Sequence, residues 1–220
     1  MELRYPLVAV ICFLHLIHFM NFISGHTYHI YNQGNNRELI FKDRSDYIVF
    51  LKKIRRAFNQ HCDILSWCLM PNHFHFLVQV RQEYEMNYPE NDRTKKLNPL
   101  NKSIGTALSS YTQNFNKKTG RTGSLFRKRT KAKSLSFQRG EDNHGINCYL
   151  YIHQNPIRAG LVKKLEDWEF SSFRDYAGLR KGNSCNRELA IELFNLPETP
   201  SEFYELSYRT IPDSVVKAIY

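Results

Sequence analysis

Apolar positions along the chain change period several times, and each change marks an element. "HTYHIYNQG", His26 to Gly34, alternates and is rich in aromatic and β-branched residues, which predicts a strand ending in a glycine turn. Ser45 to His61 places Ile48, Val49, Leu51, Ile54 and Phe58 at helical spacing, with Ser45 or Asp46 as the cap. "DILSWCLM" predicts a second strand, Pro71 and Asn72 break it, and "HFHFLVQV", His73 to Val80, predicts a third that can close a hairpin. Glu83 to Lys96 is polar and reads as a loop. Pro99 to Gly120 reads as a helix ended by Gly120, and Arg121 to Phe137 as a basic loop or short strand. Gly145 to Pro156 reads as a helix stopped near its proline. Beyond Val162 the pattern is mixed, with Trp168, Phe170 and Phe173 as packing residues. The order predicts an α+β fold: a ferredoxin-like antiparallel sheet with helices packed on one face. Three stretches follow: a hydrophobic extension over 1–24, the main domain over 25–178, and a tail over 179–220 whose role the sequence leaves open.

Charge adds a partner class. Of 220 residues, 31 are Lys or Arg and 21 Asp or Glu, a net charge of +10 that favours a polyanion, either nucleic acid or an anionic membrane surface. The window from Asn101 to Gly140 holds ten basic residues and no acid. A charge run is ordinarily a solvated surface. With Tyr111, Phe115, Phe126 and Phe137 interleaved, this one points to contacts with phosphates and unpaired bases. Five cysteines without a CxxC pair predict reduced thiols in a cytoplasmic protein. "YPLVAVICFLHLIHFMNFISG", Tyr5 to Gly25, carries no charge apart from its histidines. It can be read as a signal peptide, a short membrane anchor, or an appended or mis-started segment ahead of Met20. His15 and His18 argue against a clean span, so no membrane partner is expected.

The chemistry-bearing residues are few. In a strand, positions i and i+2 share a face, so His73 and His75 project together and Phe74 and Phe76 project oppositely. Such a pair can chelate a divalent ion or simply decorate a polar sheet face. On the helix "YLYIHQNP", Tyr151 and Asn155 are one turn apart on one face. Asn155 offers an amide oxygen and Tyr151 a phenol that can act as a covalent nucleophile. Equally, Tyr151 can be a core aromatic and Asn155 a helix-end residue. Tyr149 and Tyr111 are rival tyrosines, and His153 reads as structural.

"MPNHFHFLV" resembles the HUH motif of single-tyrosine transposases of the insertion-sequence-200-like family. "YIHQNPIRAGLV" resembles the tyrosine helix of its REP-associated branch, "YHIYNQGNNRELIF" that branch's first strand and turn, and "GRTGSLFRKRTKAK" the basic region between them. The resemblance runs from about His26 to Tyr176. It implies that His73, His75 and Asn155 bind Mg²⁺ or Mn²⁺, with zinc not excluded by the ligand set. It further implies that Tyr151 attacks single-stranded or hairpin DNA to give a 5′-phosphotyrosine link, with no small-molecule cofactor. Either a monomer or a homodimer is compatible with it. Arg121, Arg127, Lys128, Arg129 and Lys131 are the expected DNA contacts. A non-catalytic nucleic-acid-binding protein of the same fold is the alternative.

Overall fold

The computed structural model describes residues 22–83, 98–135 and 144–219. The polar loop expected between Glu83 and Lys96, and most of the 1–24 segment, lie outside them. Four strands form the sheet: β1 (Thr27–Gln33), β2 (Cys62–Met70), β3 (His73–Val80) and β4 (Lys131–Ser134). Their order is β2-β3-β1-β4, and every neighbouring pair is antiparallel. Helix α1 (Arg44–Phe58) joins β1 to β2, and α2 (Pro99–Thr119) lies between β3 and β4. This is the ferredoxin-like arrangement, with the histidine strand β3 at the centre.

Strand alternation divides the molecule into two cores. Phe74, Phe76, Val78 and Val80 of β3 face α1 and α2, where they meet Phe50, Ile54, Phe58, Tyr111 and Phe115. Fully burying each such side chain is worth about 1.5–3 kcal/mol. The helices expected on one face are therefore there, and the other face is covered as well. Helix α3 (His144–Arg158) packs on it, followed by α4 (Phe173–Tyr176), α5 (Arg187–Phe194), α6 (Pro200–Ser207) and α7 (Asp213–Ile219). Leu65, Cys68, Met70 and Leu77 of the sheet join Tyr149, Leu150, Ala190, Phe203 and Ile219 in this second core. A register shift in β2 between Ile64 and Ser66 lets that strand feed both cores out of strict alternation.

Several boundaries differ from the sequence reading for local reasons. The α1 cap is Asp43, not Ser45 or Asp46. Its extended backbone lets the side chain accept from the amides of Ser45 and Asp46, while Asp46 returns the bond to the Asp43 amide. Helix α3 runs through Pro156 to Arg158. Near a helix end one lost N–H is tolerated, because the ladder resumes with Ala159 N–H donating to the Asn155 carbonyl at 2.9 Å. Gly120 closes α2 in the left-handed region, φ 66°, as its position predicts. At Gly34 the constraint is space, since a Cβ there would stand 2.3 Å from the Glu38 carbonyl oxygen.

Trp168, Phe170 and Phe173 all pack: the Trp168 indole donates to the Leu69 carbonyl, Phe170 stacks on Tyr47 at 3.8 Å, and Phe173 is fully buried. Phe22 is buried edge-on against Tyr28. Cys62, Cys68, Cys148 and Cys185 are free thiols. Among the described residues no helix is long and apolar enough to cross a membrane.

Candidate active site

The site is built on the face of the sheet opposite the phenylalanines. His73 is half-buried and His75 is only 1% exposed; their rings stand 5.0 Å apart and perpendicular. Cross-strand register puts Tyr31 of β1 opposite His75 and Gln33 opposite His73. His29, two residues before Tyr31, shares their face. Its Nε2 lies 2.9 Å from Nδ1 of His75 with the rings stacked. The Tyr31 ring stacks on His29 at 4.7 Å and on His75 at 5.9 Å.

Helix α3 brings the tyrosine to this cluster. The Tyr151 ring meets the His75 ring edge to face at 6.0 Å, and the Arg158 guanidinium lies over it at 5.9 Å. Asn155 follows one turn later, its Nδ2 donating to the Tyr151 carbonyl at 3.0 Å. That bond fixes the amide orientation and leaves Oδ1 as the acceptor end.

The rival tyrosines are used elsewhere. Tyr149 is fully buried, its ring against His153, Tyr176 and Phe203, and burial pushes its phenol well above the ordinary value. Tyr111 lies in the opposite core and donates its hydroxyl to the Ile40 carbonyl at 2.5 Å. His153 is bonded through Nε2 to Ser172 Oγ at 2.7 Å, which is a structural role.

Burial pushes His73 down to about 4, and His75 well below the ordinary imidazole range, so both rings are neutral near pH 7. Neutral imidazoles are the form that binds a metal. For His73 the tautomer follows from its neighbour. Asn72 donates through Nδ2 to the Arg37 carbonyl, so its Oδ1 is the atom 2.6 Å from His73 Nδ1. Nδ1 therefore carries the proton and Nε2 keeps the lone pair. Two nitrogen donors and an amide oxygen form a donor set compatible with a divalent ion. Among the described residues there is no group of three or more His, Cys, Asp or Glu able to hold a metal.

The basic loop lies at the same end of the sheet. The Arg127 N–H donates to the Gln33 carbonyl at 2.8 Å, and Asn32 Nδ2 donates to the Arg127 carbonyl and to Thr130 Oγ1. Gln33 is the residue opposite His73, so Arg127 to Thr130 is anchored beside the histidines. Arg127, Lys128, Arg129 and Lys131 are exposed. Arg121 is different: its guanidinium is 2.8 Å from Glu38 and also closes the loop through the Ser124 carbonyl. Phe137 and Arg139 fall outside the described residues.

The sequence reading missed His29, Tyr31, Asn72 and Arg158. Alternation in "YHIYN" already placed His29 and Tyr31 on one face, but their pairing with β3 depends on a register between distant segments.

Residues 22–89 match the family described as "Transposase IS200 like". A Haemophilus influenzae protein named for the REP-associated tyrosine transposases is 25% identical over 146 residues, which is 61% of this chain and 76% of that protein. A solved structure titled "Structure of the REP associates tyrosine transposase bound to a REP hairpin" superposes with a TM-score of 0.50 at 21% identity, covering 76% of this chain and 88% of that one. The last likeness shows the fold. The first two bear out the resemblance carried by the sequence motifs, and the third the fold that it implies.

Proposed function

We propose, from the premise of an IS200-like transposase domain, that the chain is a DNA transposase: a metal-dependent nuclease and strand transferase using Tyr151 on single-stranded or hairpin DNA. The observation that carries this reading is the contact between the Tyr151 ring and His75, with Asn155 one turn further along the same helix.

In this reading His73, His75 and Asn155 hold Mg²⁺ or Mn²⁺. The bound ion supplies Lewis-acid polarisation of the scissile phosphate. The Tyr151 oxygen attacks phosphorus, a tyrosyl–phosphate bond forms, and the bond to the 3′ oxygen breaks, releasing a 3′-OH. Reversal with another 3′-OH joins a new strand, and the covalent link conserves the bond energy so that no nucleotide cofactor is needed. Arg158, over the tyrosine ring, favours the developing phenolate charge. Arg127, Lys128, Arg129 and Lys131 hold phosphates beside the histidines, and the half-buried Tyr31 offers a ring to an unpaired base.

One observation favours the alternative of a non-catalytic nucleic-acid-binding protein: Tyr151 is only 4% exposed. Covalent trapping decides between them. Labelled DNA hairpins with single-stranded flanks are incubated with the protein and Mn²⁺ and resolved under denaturing conditions. The transposase reading expects a metal-dependent adduct that Tyr151→Phe abolishes. DNA binding without any adduct across varied hairpins would favour the binding protein.

A further inference from the structure

The last turn of α7 is held by two neighbouring strand residues. His29 of β1 and Lys133 of β4 face each other in register. Lys133 Nζ donates to the Ala218 carbonyl, and His29 Nδ1 lies 3.3 Å from the Ile219 carbonyl. These carbonyls belong to the end of a helix, where no intrahelical donor reaches them. Ile219 is fully buried against the second core.

A carbonyl can only accept, so the His29 nitrogen facing it, Nδ1, carries the hydrogen. A neutral ring has one N–H, which leaves Nε2 of His29 as an acceptor. The atom 2.9 Å from it is Nδ1 of His75, which must then be the donor. Following the same count, His75 is protonated at Nδ1 and its Nε2 keeps the lone pair. His73 reaches the same state by a separate route, through Asn72.

We propose that His29 is a positioning residue which, braced by the Ile219 carbonyl of the C-terminal helix, fixes His75 as the Nδ1–H tautomer and so makes Nε2 its metal-ligating atom. The inference rests on the metal-binding reading above and gives the end of the 179–220 tail a part in it. A ligating histidine whose second nitrogen is tied in this way is oriented before the ion arrives. His29 itself need not touch metal or DNA.

The tautomer can be read directly in the full-length, metal-free protein. Imidazole ¹⁵N spectra near pH 7.5 distinguish a protonated ring nitrogen from an unprotonated one, and His75 is expected to carry its hydrogen on Nδ1. His29→Gln keeps an acceptor toward His75 and a donor toward Ile219, so it should preserve that spectrum and hold the Mn²⁺ Kd within about threefold. His29→Leu removes both groups; His75 should then populate its other tautomer and Mn²⁺ affinity should fall by about 10–100-fold. If His75 is protonated on Nε2 in the wild-type protein, or stays Nδ1–H in a folded His29→Leu variant, the relay is wrong whatever the metal does. If the wild-type tautomer is as expected but the protein takes up no Mn²⁺ or Mg²⁺, the relay stands and the metal reading falls.

Discussion

The two faces of the central sheet are made from alternate residues of the same strands, yet they differ in kind. On β3, Phe74 and Phe76 are sealed against α1 and α2 in a predominantly apolar, aromatic-rich core. Their neighbours His73 and His75 enter a cluster with His29, Tyr31 and Tyr151, in which hydrogen bonds fix the imidazoles and ring contacts join the tyrosines. Dispersion packing is spread over many contacts, whereas a buried imidazole depends on one or two partners, each carrying a large share. A two-residue period thus lets one strand stabilise the fold with one face and carry chemistry with the other.

The comparison breaks most sharply with paired substitutions. Tyr151→Phe should abolish covalent DNA attachment and change stability by no more than about 1 kcal/mol, because only a hydroxyl is lost. Phe74→Ala should do the reverse, costing about 3–5 kcal/mol in denaturant unfolding while the folded fraction still forms adduct. An adduct in the first variant, or an unchanged unfolding midpoint in the second, would erase the division of labour.

Next in size is the basic loop. Replacing Arg127, Lys128 and Arg129 together should reduce the slope of log affinity against log salt by about 2, at roughly 0.7 per phosphate contact on a single strand. An unchanged slope would return these side chains to ordinary surface. Arg121→Ala should alter the slope least, since its guanidinium is already paired with Glu38.

The polar side should also be the acid-labile one. Burial lowers His153 to about 3 and His29 to about 4, against 6.5 when exposed. Between those values the unfolded chain binds protons that the folded chain refuses. Stability is therefore complete above about pH 6.5 and is lost as pH falls toward the folded-state values. Each histidine contributes at most about 1.4 kcal/mol per pH unit. Unfolding midpoints measured from pH 7.5 to 4.5 should show that decline, and His153→Gln should flatten it; equal slopes for variant and wild type would contradict the assignment. Smallest of all is Tyr149→Phe, which should leave adduct formation intact.

Much of this was legible in the sequence, and the exceptions have physical causes. The period of two in "HFHFLVQV" placed the histidines and phenylalanines on opposite faces, and the period of α3 stacked Tyr151 over Asn155. Those are local properties of a strand and a helix. What escaped was non-local. That His29 bonds to His75 depends on β1–β3 register across 46 residues, and that Glu38 neutralises Arg121 depends on a loop folding back across 83. The tail gave no sign of covering the second face, because its helices are short and their docking on the sheet depends on contacts between distant segments. The cap at Asp43 escaped because an acidic residue two positions before Ser45 satisfies the first amides of the helix as a serine cap would.

The central claim is that Tyr151, on the polar face, is the residue that joins DNA. The most direct measurement is mass-spectrometric mapping of the adduct formed with a DNA hairpin and Mn²⁺, with fragmentation that separates Tyr149 from Tyr151. The account predicts a nucleotide phosphate on Tyr151. Finding it on Tyr149, Tyr111 or Tyr31 would contradict the account.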